Sequence, residues 1–158
     1  RDTLDCLGGV KAVFPLFAQF DQPVLRKLKE SDVPTPDYST DPRLNACVLE
    51  LLGKLLRESA SNQQFLEKYG GLSMLGYFLE RVSPANLTLK AIANMRELVR
   101  SVKWSEPTVS SALKDLFTQW NIWVFAHPEV QHGLAREVLA LAGAEDTGTA
   151  FRKLPVER

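Results

Sequence analysis

Apolar residues recur at helical spacing along almost the whole chain. Val10, Val13, Phe14, Leu16, Phe17 and Phe20 make one wide apolar face. Gly8-Gly9 stands before it, where paired glycines suit a helix end, and Pro15 should kink or shorten the helix. Leu44, Cys47, Val48, Leu51, Leu52, Leu55 and Leu56 predict a second helix, running to about Glu58. Asp41-Pro42 opens it as N-cap and first helical residue. Ser61-Asn62-Gln63-Gln64 has capping-box spacing and starts a short helix through Phe65, Leu66 and Tyr69, stopped by Gly70-Gly71.

The pattern continues to the far end. Leu72, Leu75, Phe78, Leu79 and Val82 form the next helix, and Leu87, Leu89, Ile92, Met95, Leu98, Val99 and Val102 the one after. Ser105-Glu106-Pro107 and His127-Pro128-Glu129 are further start signals. The first precedes Val109, Leu113, Leu116 and Phe117; the second precedes Val130, Leu134, Val138, Leu139 and Leu141, ended by Gly143. Trp120 to Phe125 is rich in β-favouring residues, but with no partner strand it reads as helical. From 144 to 158 the chain reads as a polar tail or the first turn of a continuation. Periodicity fails at about 21–41, where Pro23, Pro34 and Pro36 mark an inserted loop around a short charged piece.

Leu7-Gly8-Gly9-Val10 and Tyr69-Gly70-Gly71-Leu72 match at a distance of 62 residues. Removing about 20 inserted residues leaves about 42, within the roughly 40–47 of armadillo and HEAT repeats. The expectation is an all-α armadillo/HEAT-like superhelix over 1–143, of about seven to nine helices. Its ends, near Arg1 and after Gly143, should expose apolar surface that a neighbouring repeat covers. Arg1 in first position, with no signal peptide after it, predicts a fragment of something longer.

Composition narrows the chemistry. The 158 residues carry 19 Lys+Arg against 19 Asp+Glu, which gives no electrostatic case for nucleic-acid binding. No apolar run approaches the roughly 18 residues of a membrane span. Two cysteines make no disulfide framework, so a reducing compartment is the default. Cys6 and Cys47 lie on apolar stripes and read as buried small hydrophobes. With only His127 and His132 to join them, no zinc set and no other metal site is predicted. Neither histidine has a nucleophile beside it in sequence, and Ser110, Ser111 and Asp115 are too ordinary a set to define a triad. No phosphate loop, H-E-x-x-H, C-x-x-C or G-x-S-x-G occurs, so neither enzyme activity nor a cofactor is predicted. The sequon Asn86-Leu87-Thr88 reads as a helix start, with Asn86 or Thr88 as cap. Arg26, Lys27 and Lys29 are balanced by Glu30 and Asp32 and read as a solvated face.

Three stretches carry a family resemblance. Leu7-Gly8-Gly9-Val10-Lys11-Ala12-Val13-Phe14-Pro15-Leu16-Phe17 is similar to a "Gly-Gly, apolar, Phe-Pro-Leu" stretch of the BEACH-domain scaffold family. Leu116 to Trp123, continuing to Pro128-Glu129-Val130-Gln131, resembles that family's "Asn, apolar, Trp … Glu-Val-Gln" segment, with Asn121 where an aspartate-like residue is usual. Ser83-Pro84 followed by Asn86-Leu87-Thr88 is the third. The nearest members are neurobeachin-like. The resemblance implies an armadillo-like region upstream of a BEACH domain, in a large cytoplasmic scaffold peripheral to intracellular membranes and acting in vesicle trafficking or granule biogenesis.

Such a module would bind protein partners, with no nucleic acid and no membrane insertion of its own. Its alternatives are an armadillo-type domain that binds a small GTPase and a purely structural spacer. Contact candidates are Ser73, Tyr77 and Glu80, left off the apolar face of their helix, and Trp104, Trp120 and Trp123. Each tryptophan has two readings, core packing or a partner hot spot. The Pro-rich loop from Pro23 to Thr40 is a second place for a partner.

Overall fold

Two left-handed turns at glycine set the first and fourth helices. Gly8 and Gly9 have φ of 103° and 57°, and Gly70 has 62°, a region that a side chain makes costly. Each pair releases the chain into a helix: α1, Val10–Phe17, and α4, Gly71–Leu79. The computed structural model describes residues 8–17 and 43–154. Cys6, the Pro-rich insertion and the Arg26-Lys27-Lys29 cluster lie outside the described residues.

The remaining α-helices are α2 (Arg43–Glu58), α3 (Ala60–Lys68), α5 (Leu89–Arg100), α6 (Glu106–Ala112), α7 (Trp120–Trp123), α8 (Pro128–Gly143) and α9 (Glu145–Arg152). A 3-10 turn at Pro84–Asn86 precedes α5, and a π-turn at Leu113–Phe117 extends α6. Every regular element among the described residues is helical.

The helices stack in two layers. In one, α2 packs on α5 and α5 on α8; in the other, α1 packs on α4 and α4 on α6 with its π-turn. The core between the layers runs unbroken from Val10 to Ala150. Neighbours within a layer run parallel: Asn45 of α2 meets Asn86 in the turn before α5, and Arg57 of α2 meets Glu97 in the last turn of α5. Buried positions repeat in register. Asn45, Ala46, Leu49, Leu52 and Leu56 correspond to Ala91, Ile92, Met95, Leu98 and Val102, each 46 positions on. Val10, Val13 and Phe17 correspond to Leu72, Leu75 and Leu79, 62 positions on, across the insertion. Leu72, Leu75 and Leu79 correspond to Val109, Ala112 and Leu116, 37 positions on, although no glycine pair marks that third copy. The stacked repeats make an α-solenoid.

Caps follow the start signals closely. Thr88 Oγ1 accepts from Ala91 N at 3.2 Å and caps α5, while Asn86 is buried in the preceding turn. His127 Nδ1 accepts from Glu129 N at 3.4 Å at the start of α8. The cap of α3 is Ser59, whose Oγ accepts from Asn62 N at 3.4 Å, two residues before the capping box expected at Ser61. Ser61 bonds sideways to Ser59 instead, at 2.9 Å.

Expectations about which side of a helix faces inward fail at several positions. Cys47 is exposed rather than buried, and Leu44 and Leu16 are exposed as well. The core stripe of α2 is turned one residue, onto Asn45, Ala46, Leu49, Leu52 and Leu56, because α5 packs on that side. Leu139 of α8 also points outward. Where a polar tail or the first turn of a continuation was expected, residues 145–152 form α9, which docks on α8 and α6 and buries Thr147 and Ala150.

Candidate interaction surface

Gly76 is the point where α4 and the π-turn meet. A Cβ built there would lie 2.4 Å from the Asp115 carbonyl oxygen, so only glycine permits this approach. On either side of that contact a polar seam joins the elements. Ser73 Oγ and Ser111 Oγ are 2.7 Å apart, and Ser111 Oγ donates to Asp115 Oδ2 at 3.0 Å. At the other end Asn121 Nδ2 donates to Glu80 Oε1 at 3.3 Å. Ser73 and Glu80 therefore share the seam, and both side chains bond within the molecule.

Tyr77 lies on the outward side of α4 and is 54% exposed. Met74 and Arg81, three residues before and four after, share its stripe. The Arg81 guanidinium stacks 3.5 Å from the Tyr77 ring centroid and donates to the Tyr77 carbonyl at 3.1 Å. One turn before α4, Tyr69 is also exposed, packs 4.6 Å from the Phe65 ring and has the Lys68 ammonium over its face. Lys11 lies over the Phe65 ring at 4.6 Å. Each of these two exposed aromatic groups carries a cation on a ring face. Their acidic neighbours are turned to other partners: Glu80 to Asn121, and Glu67 to the start of α6. Met74, Arg81 and Tyr69 were not singled out from sequence. The i, i+3, i+7 spacing of Met74, Tyr77 and Arg81 is the signal that finds them.

The three tryptophans take different places. Trp123 is 1% exposed, and its Nε1 donates to the Leu116 carbonyl at 2.8 Å, a group left free where the π-turn ends. It takes the core alternative and is no contact residue. Trp104 is half-buried against the core, with Nε1 donating to the Leu98 carbonyl at 3.0 Å. Trp120 is 69% exposed and walls an apolar cleft between α7 and α8, with Leu134, Ala135 and Val138 opposite.

Glu67 stands between repeats. Its Oε1 accepts from Ser105 N at 2.8 Å and from Thr108 Oγ1 at 3.2 Å. Those are the N-cap and N3 positions of α6, so α3 supplies the carboxylate that a capping box would carry at N3. The Ser105 amide holds the Glu67 carboxyl below its ordinary value, against a weaker upward push from desolvation. His127 and His132 are exposed, and no group of three or more His, Cys, Asp and Glu among the described residues is placed to hold a metal ion. No helix among them is long and apolar enough to cross a membrane.

The family described as "Neurobeachin/BDCP, DUF4704 alpha solenoid region" matches residues 1–155. BEACH domain-containing protein B of Arabidopsis thaliana is 31% identical over 132 residues, 82% of this chain. Neurobeachin homologs of Caenorhabditis elegans and Caenorhabditis briggsae are each 29% identical over 133 residues, again 82% of this chain. The chain spans 5% of the length of each of these relatives. No solved structure matches it. The stacked helices, the glycine turns and these matches agree: the chain belongs to the alpha-solenoid region of the neurobeachin/BEACH family.

Proposed function

We infer that this solenoid is a non-catalytic protein-interaction module of a large BEACH-family scaffold in vesicle trafficking or granule biogenesis. The outward ridge Met74, Tyr77 and Arg81 is its contact surface. One observation carries this reading. Tyrosine, methionine and arginine are the side chains enriched at interfaces, and here they stand together on the outer side of a helix whose other side is core. The stacked Arg81 favours a partner with an acidic side chain among its apolar ones, by charge complementarity.

The test is affinity capture from cytosolic lysate on the folded domain, on Tyr77→Ala with Arg81→Glu, and on a chain whose residues 31–40 are replaced by a Gly/Ser linker. The expected result is saturable capture of one partner that weakens with salt, is lost in the ridge double variant and survives the linker replacement. Capture lost only with the linker would move the function to the Pro-rich insertion. A well-folded domain that captures nothing would make it a spacer.

A further inference from the structure

The open cleft beside α8 is a seat of the same kind that α2 offers α5 and α5 offers α8. In α2, two of the residues that reach forward are Ala46, whose carbonyl accepts from Asn94 Nδ2 at 2.7 Å, and Glu50, whose Oε2 lies 4.0 Å from Lys90 Nζ. Their counterparts in α5, 46 positions on, are Ile92 and Arg96. Both reach α8: a Cβ on Gly133 would come within 4.0 Å of Ile92 Cδ1, and Arg96 Nη1 donates to Glu137 Oε1 at 2.8 Å. In α8 the buried Val130, Leu134 and Leu141 repeat Ala91, Met95 and Val102 at 39 positions, so the counterparts of Ile92 and Arg96 there are Gln131 and Ala135. Both line the cleft that Trp120 walls. Leu139, one turn beyond Ala135, is 73% exposed.

This third seat differs from the first two in chemistry. Glu50 and Arg96 each form an ion pair with the helix that follows. Ala135 has no charge to offer, and the Gln131 amide already donates to the carbonyls of Trp123 and Val124 at 3.1 and 2.9 Å. What remains is an apolar strip of Ala135, Val138 and Leu139 with an indole at its edge.

We propose that this strip receives a further helix of the same polypeptide, lying parallel to α8 as α8 lies on α5, with an apolar ridge seated between Leu139 and Trp120. A repeat joined head-to-tail reproduces the parallel register of both existing junctions. A second copy of the chain related by a two-fold axis would instead set this face of α8 against itself, with no head-to-tail offset. Trp120 then belongs to solenoid stacking and not to the partner surface, so this assignment stands or falls separately from the ridge on α4.

A thiol at the centre of the strip reports its cover. Leu139→Cys is labelled with a maleimide and followed by peptide-resolved mass spectrometry, with the exposed Cys47 as internal reference. It is compared in the 158-residue chain and in the polypeptide carried about 45 residues further, one helical repeat. In the shorter chain, position 139 is expected to react as fast as Cys47 at every protein concentration. In the longer one it should react at least tenfold more slowly than Cys47. Leu139→Asp should leave the Tm of the shorter chain unchanged and lower that of the longer. Equal labelling in both would overturn the proposal. Protection that grows with concentration in the shorter chain would overturn it too, because a second copy would then be the occupant.

Discussion

Single side chains decide how closely the two layers approach. At Gly76 there is no room for a methyl group against the Asp115 backbone, and backbone cannot swing aside as a side-chain tip can. Gly76→Ala is expected to cost about 1–3 kcal/mol, an overpacking penalty, read from urea unfolding. Gly53→Ala is the control, because nothing lies within 4 Å of its added carbon; it should be neutral or stabilise by up to about 1 kcal/mol. The tryptophans separate in the same way. Trp123→Ala removes a buried ring and a donor from the Leu116 carbonyl and should cost about 3–5 kcal/mol. Trp120→Ala should stay within about 0.5 kcal/mol of the parent in the same unfolding series. The choice between core and surface for these residues was not legible in sequence. Trp120 and Trp123 are three positions apart in a four-residue helix, and spacing alone cannot say which side its neighbours cover.

At the level of elements, the helices end where local chemistry satisfies their free backbone groups. Thr88→Ala removes the α5 cap and should cost about 1 kcal/mol. Glu67 acts one element away, from α3 onto α6. Its carboxyl is held below the ordinary value in the folded chain, so its stabilisation is complete above an ordinary glutamate pKa of about 4.3 and is lost as the pH falls through the lower folded value. Glu67→Gln should therefore lower Tm slightly at pH 7 and flatten its decline below about pH 4.3, so that variant and parent converge in acid. The effect is small, because the group is well exposed and screened. A decline of unchanged steepness in Glu67→Gln would remove this carboxylate from the account. Start signals such as Ser105-Glu106-Pro107 were readable, because a cap and its proline act within four residues. The contribution of Glu67 was not, since it joins residues 38 and 41 positions apart.

Across the whole molecule, each helix depends on its neighbours in the stack rather than on a single centre. Among the described residues α5 is packed on both sides within its layer, by α2 and by α8. Its amides should exchange most slowly, and those of α9 near Lys153 faster, in a hydrogen-exchange time course. Uniform protection from α2 to α9 would instead indicate one all-or-none unit.

The sequence by itself determined the class of fold, most helix starts and the existence of a repeat. Helical period, caps and glycine turns are local properties, and the two Gly-Gly pairs are visible without any knowledge of packing. The third copy lacks such a pair and is seen only when the buried positions of α4 and α6 are laid in register. Only the tertiary structure decided which side of each helix is core. That choice turned Cys47, Leu44 and Leu139 outward and Trp123 inward. A helix in a solenoid meets neighbours on two or three sides, so its apolar stripe is wider than its core, and the crossing of adjacent helices, not the period, selects which part is covered.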